Sequence, residues 1–282
     1  MVNARQRPVG RSIVSGDGVR LYVEDHGDPD VPAVVLLHGL GACRRAWARQ
    51  VGAGELAGFR LVTVDLRGHG GSDAPPDRYA DPARWAGDVA AVLAGLGLAR
   101  PVLVGWSYGG AVLCDYLAAH GDGALAGVVL VGAASDLGTQ RAVDGLTEKF
   151  VAVSRRLVRA DPGDLPAAIG DLVDLSTHRP LPAGEWGEMR GWNSVLPDFV
   201  WAGMLRRTLE HDATLAAVRV PTLVLHGSAD RVVRPTHGRY LAATVPGARL
   251  VTFGEVGHMP FWEVPERFNA ELAGFVHSVT HG

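Results

Sequence analysis

The chain has 282 residues and a formal net charge of −3 at pH 7, which is enough for one large α/β domain or two small ones. Its charges are mixed and form no basic stripe, so we expect no nucleic-acid partner. The two cysteines, Cys43 and Cys114, suit neither a disulfide framework nor a metal site, and no apolar run reaches the length of a membrane span. With no secretory signal in the first residues, we expect a cytoplasmic protein.

Short apolar runs bounded by glycine or polar turns recur along the chain and predict β-strands. They are rich in Val and Leu without polar alternation, which is typical of strands buried on both faces of a parallel sheet. The predicted strands are residues 19–24, 33–37, 61–64, 102–104, 128–131, 222–225 and 250–253. The turn signal at residues 15–18 predicts a hairpin, and therefore an antiparallel N-terminal edge.

Segments of helical length and period alternate with these strands, at residues 82–96, 107–119 and 236–244. This alternation predicts an α/β fold with a mostly parallel, twisted sheet of about eight strands and helices on both faces. From residue 135 to 212 only helical pieces interrupted by prolines occur, which predicts a helical cap inserted after the sixth strand. We therefore expect a core domain of residues 9–134 and 213–282 and a cap domain of residues 135–212.

One serine stands where a predicted strand meets a predicted helix. Ser107 lies in the sequence GWSYGG, residues 105–110, directly after the apolar residues 101–104. A Gly-x-Ser-x-Gly sequence at such a junction is typical of a nucleophile elbow, a tight turn that exposes the hydroxyl between residues without side chains. The alternative is a serine that only caps the following helix.

Polar residues after other predicted strands supply partners for this hydroxyl, because the carboxyl ends of parallel strands share one edge of a sheet. A serine nucleophile needs a base and a carboxylate that orients the base. His258 follows the strand at residues 250–253, and Asp230 follows the strand at residues 222–225. The order Ser, Asp, His is the one expected for an α/β-hydrolase triad. Asp136, after the preceding predicted strand, is the rival carboxylate.

The reaction also needs backbone N–H groups that donate to the oxyanion. We expect them from Tyr108, the residue after the nucleophile, and from Leu40 in the HGLG loop, residues 38–41. His38 is expected to shape that loop through hydrogen bonds. The segment DLRGHGGSD, residues 65–73, is expected to pair its charged groups locally and to take no part in catalysis.

Together these segments resemble the α/β-hydrolase superfamily across about residues 12–278, with HGLG, DLRGHGGSD, GWSYGG, LHGSADRVV and GHMPFWEVPERF in the family order. The branch with a small helical cap is the more similar one, since the HGGG motif of the hormone-sensitive-lipase branch is absent. The resemblance implies a serine hydrolase that cleaves a carboxylic ester or lactone through an acyl-enzyme. Ser107 would attack, His258 would carry the proton and Asp230 would hold the imidazole, with no cofactor or metal.

The resemblance leaves other functions open. Cofactor-free haloperoxidases, or perhydrolases, use the same triad to make peracids, and a ligand receptor can retain the triad without turnover. Epoxide hydrolases and haloalkane dehalogenases carry aspartate at the position of Ser107, which argues against those activities. Hydroxynitrile lyases rely on a lysine of the cap. Lys149 sits early in the insertion, which argues against this activity.

An apolar or aromatic ester or lactone, together with water, is the expected partner, because the insertion and the core loops are rich in aromatic side chains. Many of these side chains are expected to be packing residues of the core and cap. The residues predicted to line the pocket are His38, Trp106, Trp186, Met189, Trp192 and Met259.

Overall fold

A computed structural model describes residues 9–280, and in that range one sheet of eight strands forms the centre of the molecule. The strands are β1 Val9–Val14, β2 Arg20–His26, β3 Ala33–Leu37, β4 Arg60–Val64, β5 Val102–Trp106, β6 Gly127–Val131, β7 Thr222–Gly227 and β8 Arg249–Phe253. Their order in the sheet is β1-β2-β4-β3-β5-β6-β7-β8. β2 pairs antiparallel with β1 and β4, and the other pairs are parallel. The predicted α/β fold with an antiparallel N-terminal edge is confirmed.

Helices follow most of the strands. They are α1 Pro82–Gly95, α2 Tyr108–His120, α3 Gln140–Gly145, α4 Glu148–Arg159, α5 Leu165–Ser176, α6 Ala183–Ser194, α7 Asp198–Leu205, α8 Asp212–Ala217, α9 Pro235–Thr244, α10 Pro260–Glu263 and α11 Pro265–Thr280, with short 3-10 helices at Arg44–Trp47 and Gly54–Leu56. None of the helices within residues 9–280 combines the length and hydropathy needed to cross a membrane.

The central strands are buried on both faces. In β3, the side chains of Val34 and Leu36 belong to one hydrophobic core, whereas those of Val35 and Leu37 belong to the other. Because successive side chains of a strand point to opposite faces, this division places one core on each side of the sheet. The apolar runs of the sequence therefore carry no polar alternation.

Successive parallel strands are added to the sheet on opposite sides of β3. From β3 the chain passes to β4 on one side, and it later returns to β5 on the other side of β3. In open α/β sheets, the loops beyond such a switch point diverge and leave a crevice at the carboxyl ends of the strands. Leu40 follows β3 and Ser107 follows β5, so both residues lie at this crevice.

The chain between β6 and β7, residues 132–221, forms a helical insertion that contains α3 to α8. Within it α4 packs against α5 and α7, and α5 packs against α6. Threonine caps start two of the helices: the hydroxyl oxygens of Thr139 and Thr147 accept the N–H groups of Ala142 and Phe150. The division of the chain into a core domain and a cap domain at residues 135 and 212 stays a prediction.

Candidate active site

Ser107 occupies a strained turn between β5 and α2. Its φ of 54° and ψ of −118° lie outside the regions that residues with a side chain ordinarily adopt. The hydroxyl makes no capping hydrogen bond to α2, so the geometry does not match a simple helix cap. A Cβ at Gly105 would lie 2.5 Å from the carbonyl oxygen of Gly109, and a Cβ at Gly109 would lie 2.5 Å from that of Leu37. The close approach of these backbones therefore explains the flanking glycines.

Asp230 and His258 form a buried pair at the ends of β7 and β8. The Oδ2 atom of Asp230 lies 2.8 Å from Nδ1 of His258, while its Oδ1 atom accepts the N–H groups of Val232 and Val233 at 2.8 and 3.0 Å. Burial favours the neutral carboxyl, but the charge and hydrogen bonds of His258 and His226 outweigh it and hold the pKa of Asp230 below its ordinary value. An ionised Asp230 fixes the proton of His258 on Nδ1 and leaves Nε2 free to accept one.

The backbone around His258 is held from three directions. Trp106 donates its Nε1–H to the carbonyl oxygen of His258 at 3.0 Å, and the N–H of His258 donates to the carbonyl oxygen of Ser176 at 3.1 Å. The neighbouring N–H of Gly257 donates to Oε1 of Glu263 at 2.7 Å. Trp106 is thus a positioning residue for His258 as well as a wall of the site.

The loop after β3 presents a free backbone amide next to Ser107. Within residues 9–280, the N–H of Leu40 donates no hydrogen bond, and the N–H of Tyr108 lies in the first turn of α2, where amides have no carbonyl partner in the helix. His38 is fully buried; its Nδ1 bonds the carbonyl oxygen of Gly39 at 2.8 Å and its Nε2 accepts the N–H of Leu66 at 3.0 Å. Burial lowers the pKa of His38 to about 4, so the ring stays neutral and bridges the two loops.

The rival carboxylate, Asp136, has different neighbours. Its Oδ1 atom accepts the N–H of His211 at 3.0 Å, and its Oδ2 atom lies 3.7 Å from Nε of Arg141. In the described part of the chain, the carboxylate that contacts His258 belongs to Asp230. The geometry therefore favours Asp230 as the acid of a triad.

The charged groups of residues 65–73 pair with residues outside that segment. Asp65 accepts the backbone N–H of Arg44 and its Nη1–H, both at 2.7 Å. Arg67 forms two hydrogen bonds with Asp88, at 2.6 and 2.7 Å. Across residues 9–280, no three His, Cys, Asp or Glu side chains are grouped in a way that could hold a metal ion.

Two cavities meet at Ser107. The smaller cavity, of about 30 Å³, is lined by Leu40, Ala42, Trp106, Ser107, Phe150, Leu172, Val173, Ser176, Met189, Trp192, Asn193, Val232, His258 and Met259. The larger cavity, of about 410 Å³, is lined by Leu40, Ser107, Tyr108, Ala134, Leu137, Gly138, Ala142, Val143, Leu146, Phe150, Val151, Ser154, Arg155, Val158, Arg159, Leu205, Val232 and Val233. A carbonyl group placed at Ser107 would therefore have the smaller cavity on one side and the larger cavity on the other.

Four of the six residues predicted to line the pocket do line a cavity at Ser107, and two do not. Trp106, Met189, Trp192 and Met259 line the smaller cavity. His38 and Trp186 line neither cavity; both ring nitrogens of His38 are engaged in the loops, and Trp186 donates its Nε1–H to Asp174 at 2.8 Å. The sequence offered no reason to single out α4, which contributes six residues to the wall of the larger cavity.

A buried charged cluster, absent from the sequence-based site, lies next to the turn that holds Ser107. The fully buried side chain of Arg207, two residues after α7, donates Nη1–H to the hydroxyl of Tyr108 at 3.0 Å and Nη2–H to Asp115 at 2.5 Å. Its guanidinium also lies 5.3 Å from the ring centroid of Trp85. Through this cluster, the helical insertion is joined to the residue that follows Ser107.

Tyr108→Phe is expected to lower the free energy of unfolding by about 1–3 kcal/mol, because the buried guanidinium of Arg207 loses one acceptor. The control is Tyr116→Phe on the same helix, since Arg207 donates to Tyr108 and Asp115 and not to Tyr116; a change below about 0.5 kcal/mol is expected there. Urea unfolding of both variants measures the difference. Equal destabilisation of the two would show that the Tyr108 hydroxyl adds nothing to the cluster.

Comparison with known proteins agrees with this architecture. A family model described as the alpha/beta hydrolase fold matches residues 32–265. The chain is 31% identical over 280 residues to the AB hydrolase superfamily protein YisY of Bacillus subtilis (strain 168), covering 96% of this chain and 100% of that protein. It is 30% identical over 280 residues to the bifunctional esterase/perhydrolase DCH of Acinetobacter calcoaceticus, covering 94% of this chain and 99% of that protein.

Among solved structures, the esterase RhEst1 from Rhodococcus sp. ECU1013 matches with a TM-score of 0.91 and 38% sequence identity, over 96% of this chain and 99% of that chain. The family match, the similarity over nearly full length and the topology of the sheet agree with one another. This chain belongs to the alpha/beta hydrolase family.

Proposed function

We propose that this chain is a serine hydrolase that cleaves a carboxylic ester or lactone with an apolar or aromatic portion. The proposal rests on the 2.8 Å contact between Asp230 Oδ2 and His258 Nδ1, beside the strained turn that holds Ser107. These three groups lie at the edge of the sheet where ligands bind in open α/β folds. The esterases and perhydrolases among the relatives support the same chemistry.

In the proposed reaction, Ser107 Oγ bonds to the ester carbonyl carbon while His258 Nε2 takes the hydroxyl proton. The N–H groups of Leu40 and Tyr108 donate to the oxyanion that develops on the carbonyl oxygen. The intermediate then expels the alcohol, which takes the proton from His258 and leaves an acylated serine. Water attacks this ester in the same way, and the acid and the free serine are restored. Asp230 stabilises the imidazolium in both steps.

The two cavities support an orientation for the substrate. The leaving alcohol must receive its proton from His258, and His258 lines the smaller cavity and not the larger one. The acyl portion then occupies the larger cavity, on the side of Tyr108. A volume of about 410 Å³ falls within the range of roughly 300–1,000 Å³ that ligand pockets span. A volume of about 30 Å³ suits a small alcohol or the attacking water.

A panel of methyl esters tests this function. From methyl acetate to methyl octanoate, kcat/KM is expected to rise by about three- to fourfold per methylene, because each buried methylene contributes about 0.8 kcal/mol. Acetate esters of lengthening alcohols provide the matched series and are expected to show no such rise. An increase along the alcohol series alone would reverse the orientation.

Fluorophosphonate labelling, followed by peptide mass mapping, identifies the nucleophile in the same preparation. We expect one label per chain, on Ser107, with loss of ester turnover in proportion to labelling. Labelling at another residue, or full turnover after complete labelling, would contradict the mechanism. Labelling of Ser107 in a protein that turns over no ester of the panel would instead favour a ligand receptor.

Perhydrolysis is a second candidate activity, favoured by the 30% identity to the bifunctional esterase/perhydrolase DCH. With hydrogen peroxide in place of water, the same acyl-serine would release a peracid. Incubation of the protein with acetate and hydrogen peroxide tests this activity, and peracid formation must exceed that of the fluorophosphonate-treated protein. Equal peracid in the two samples would limit the proposal to hydrolysis.

A further inference from the structure

Two arginines lie at the end of the larger cavity that is remote from Ser107. Arg155 and Arg159 line this end, on the face of α4 that also carries Val151 and Val158. These positions are three, four, seven and eight residues apart, so their side chains share one face of the helix. The cavity is therefore apolar along most of its length and cationic at its far end.

In the described part of the chain, neither arginine forms a close ion pair, although the charge of Arg159 acts on Asp164 and Arg155 also borders a neighbouring cavity that Asp144 and Glu148 line. Within residues 9–280, no carboxylate lies within ion-pair distance of Arg155 or Arg159, whereas Arg156 between them pairs with Asp164 at 2.6 Å and with Asp171. No Asp or Glu is among the residues that line the larger cavity. Two unpaired guanidinium groups beside an apolar surface favour an anion, and a carboxylate matches the fork of an arginine with two parallel hydrogen bonds.

The length of α4 gives the distance from the reacting carbonyl to this charge. Phe150 lines both cavities and so marks the end of α4 nearest to Ser107. Along a helix that rises 1.5 Å per residue, Arg155 and Arg159 lie about 8 and 14 Å beyond Phe150. A medium-length acyl chain spans such a distance.

We propose, on the basis of the function proposed above, that the acyl portion of the substrate ends in a carboxylate that binds Arg155 and Arg159. The substrate class is then a monoester of a medium-chain dicarboxylic acid with a small alcohol. The apolar part of the chain fills the cavity along α3 and α4. The ester end lies at Ser107, and the free carboxylate lies at the rim, where it keeps contact with water.

Monomethyl suberate and methyl octanoate test this assignment, because their acyl chains have equal length and differ in the terminal carboxylate. For the unmodified protein, kcat/KM is expected to be about tenfold or more higher for monomethyl suberate. The double variant Arg155→Gln/Arg159→Gln is expected to reduce this ratio about tenfold or more. Arg179→Gln, which removes one positive charge from an exposed position outside both cavities, should retain the ratio of the unmodified protein. Because the arginines are exposed, the ratio should also fall at high salt.

The outcomes separate this proposal from the function on which it rests. If methyl octanoate is hydrolysed as well as monomethyl suberate, or if Arg179→Gln lowers the ratio as much as the double variant does, the carboxylate site is wrong and the hydrolase function stands. If neither ester is hydrolysed, nor any other ester of the methyl panel, the hydrolase function itself fails and the carboxylate site falls with it.

Discussion

Ser107→Ala is expected to lower kcat/KM for methyl octanoate by about 10⁴-fold or more, because no other group can form the acyl-enzyme. Alanine keeps the Cβ of serine, so the strain at φ 54° is retained and the free energy of unfolding should change little. The measurement is methanol release at substrate concentrations below KM, together with a thermal unfolding curve for each protein.

Ser135→Ala is the matched control for this variant. Ser135 is also buried next to a histidine, with its Oγ 3.3 Å from Nε2 of His237, but it lines neither cavity. We expect Ser135→Ala to retain activity within about threefold. Undiminished hydrolysis in Ser107→Ala would exclude an acyl-enzyme on Ser107, and loss of activity only in Ser135→Ala would move the nucleophile to Ser135.

Asp230→Asn is expected to lower kcat by about 10⁴-fold, since an amide facing Nδ1 of His258 stabilises the tautomer that cannot act as a base. The Oδ1 contacts with Val232 and Val233 can be kept by the asparagine oxygen, so the loop should retain its conformation. Initial rates with methyl octanoate and a thermal unfolding curve measure the two properties separately.

Asp136→Asn makes the same change of charge in the rival carboxylate. Its oxygen can still accept the N–H of His211, and activity is expected to remain within about threefold of the unmodified protein. If Asp136→Asn were the variant that lost activity while Asp230→Asn kept it, the acid of the triad would have to be reassigned to the end of β6.

The residues at the strand ends could be predicted because parallel strands place their carboxyl ends together. Apolar runs marked the strands, and Ser107, Asp230 and His258 each follow one of them. No spatial information beyond this rule was needed to expect them at one edge of the sheet. The structure adds the 2.8 Å contact between Asp230 and His258, which a chain order alone does not contain.

The substrate cavity could not be predicted in the same way, because its walls come from helices whose orientation over the sheet is set by long-range packing. In α4, Val153 and Leu157 pack into the hydrophobic core, whereas Val151 and Val158 line the cavity. Aromatic content directed the prediction toward Trp186 instead, which lies outside both cavities.

The contacts of the two aromatic residues beside Ser107 could not be predicted from the sequence either. Trp106 meets the backbone of His258 across 152 positions of the chain, and Tyr108 meets Arg207 across 99 positions. Neither pair forms a motif, since each depends on how distant elements pack. Trp106 thus supports the backbone of His258, and Tyr108 joins the turn at Ser107 to Arg207.

The attachment of the helical insertion limits how it can be exchanged between relatives. At one place the N–H of Thr147 donates to the carbonyl oxygen of Val232, at 3.0 Å, two residues after Asp230. At another, the carbonyl oxygen of Ser176 accepts the N–H of His258 itself. A chimera that replaces the whole insertion would remove both supports and disturb Asp230 and His258 together. A graft that keeps residues 145–147 and 176–178 can vary the helices between them, so the wall of the larger cavity can be changed separately from Asp230 and His258.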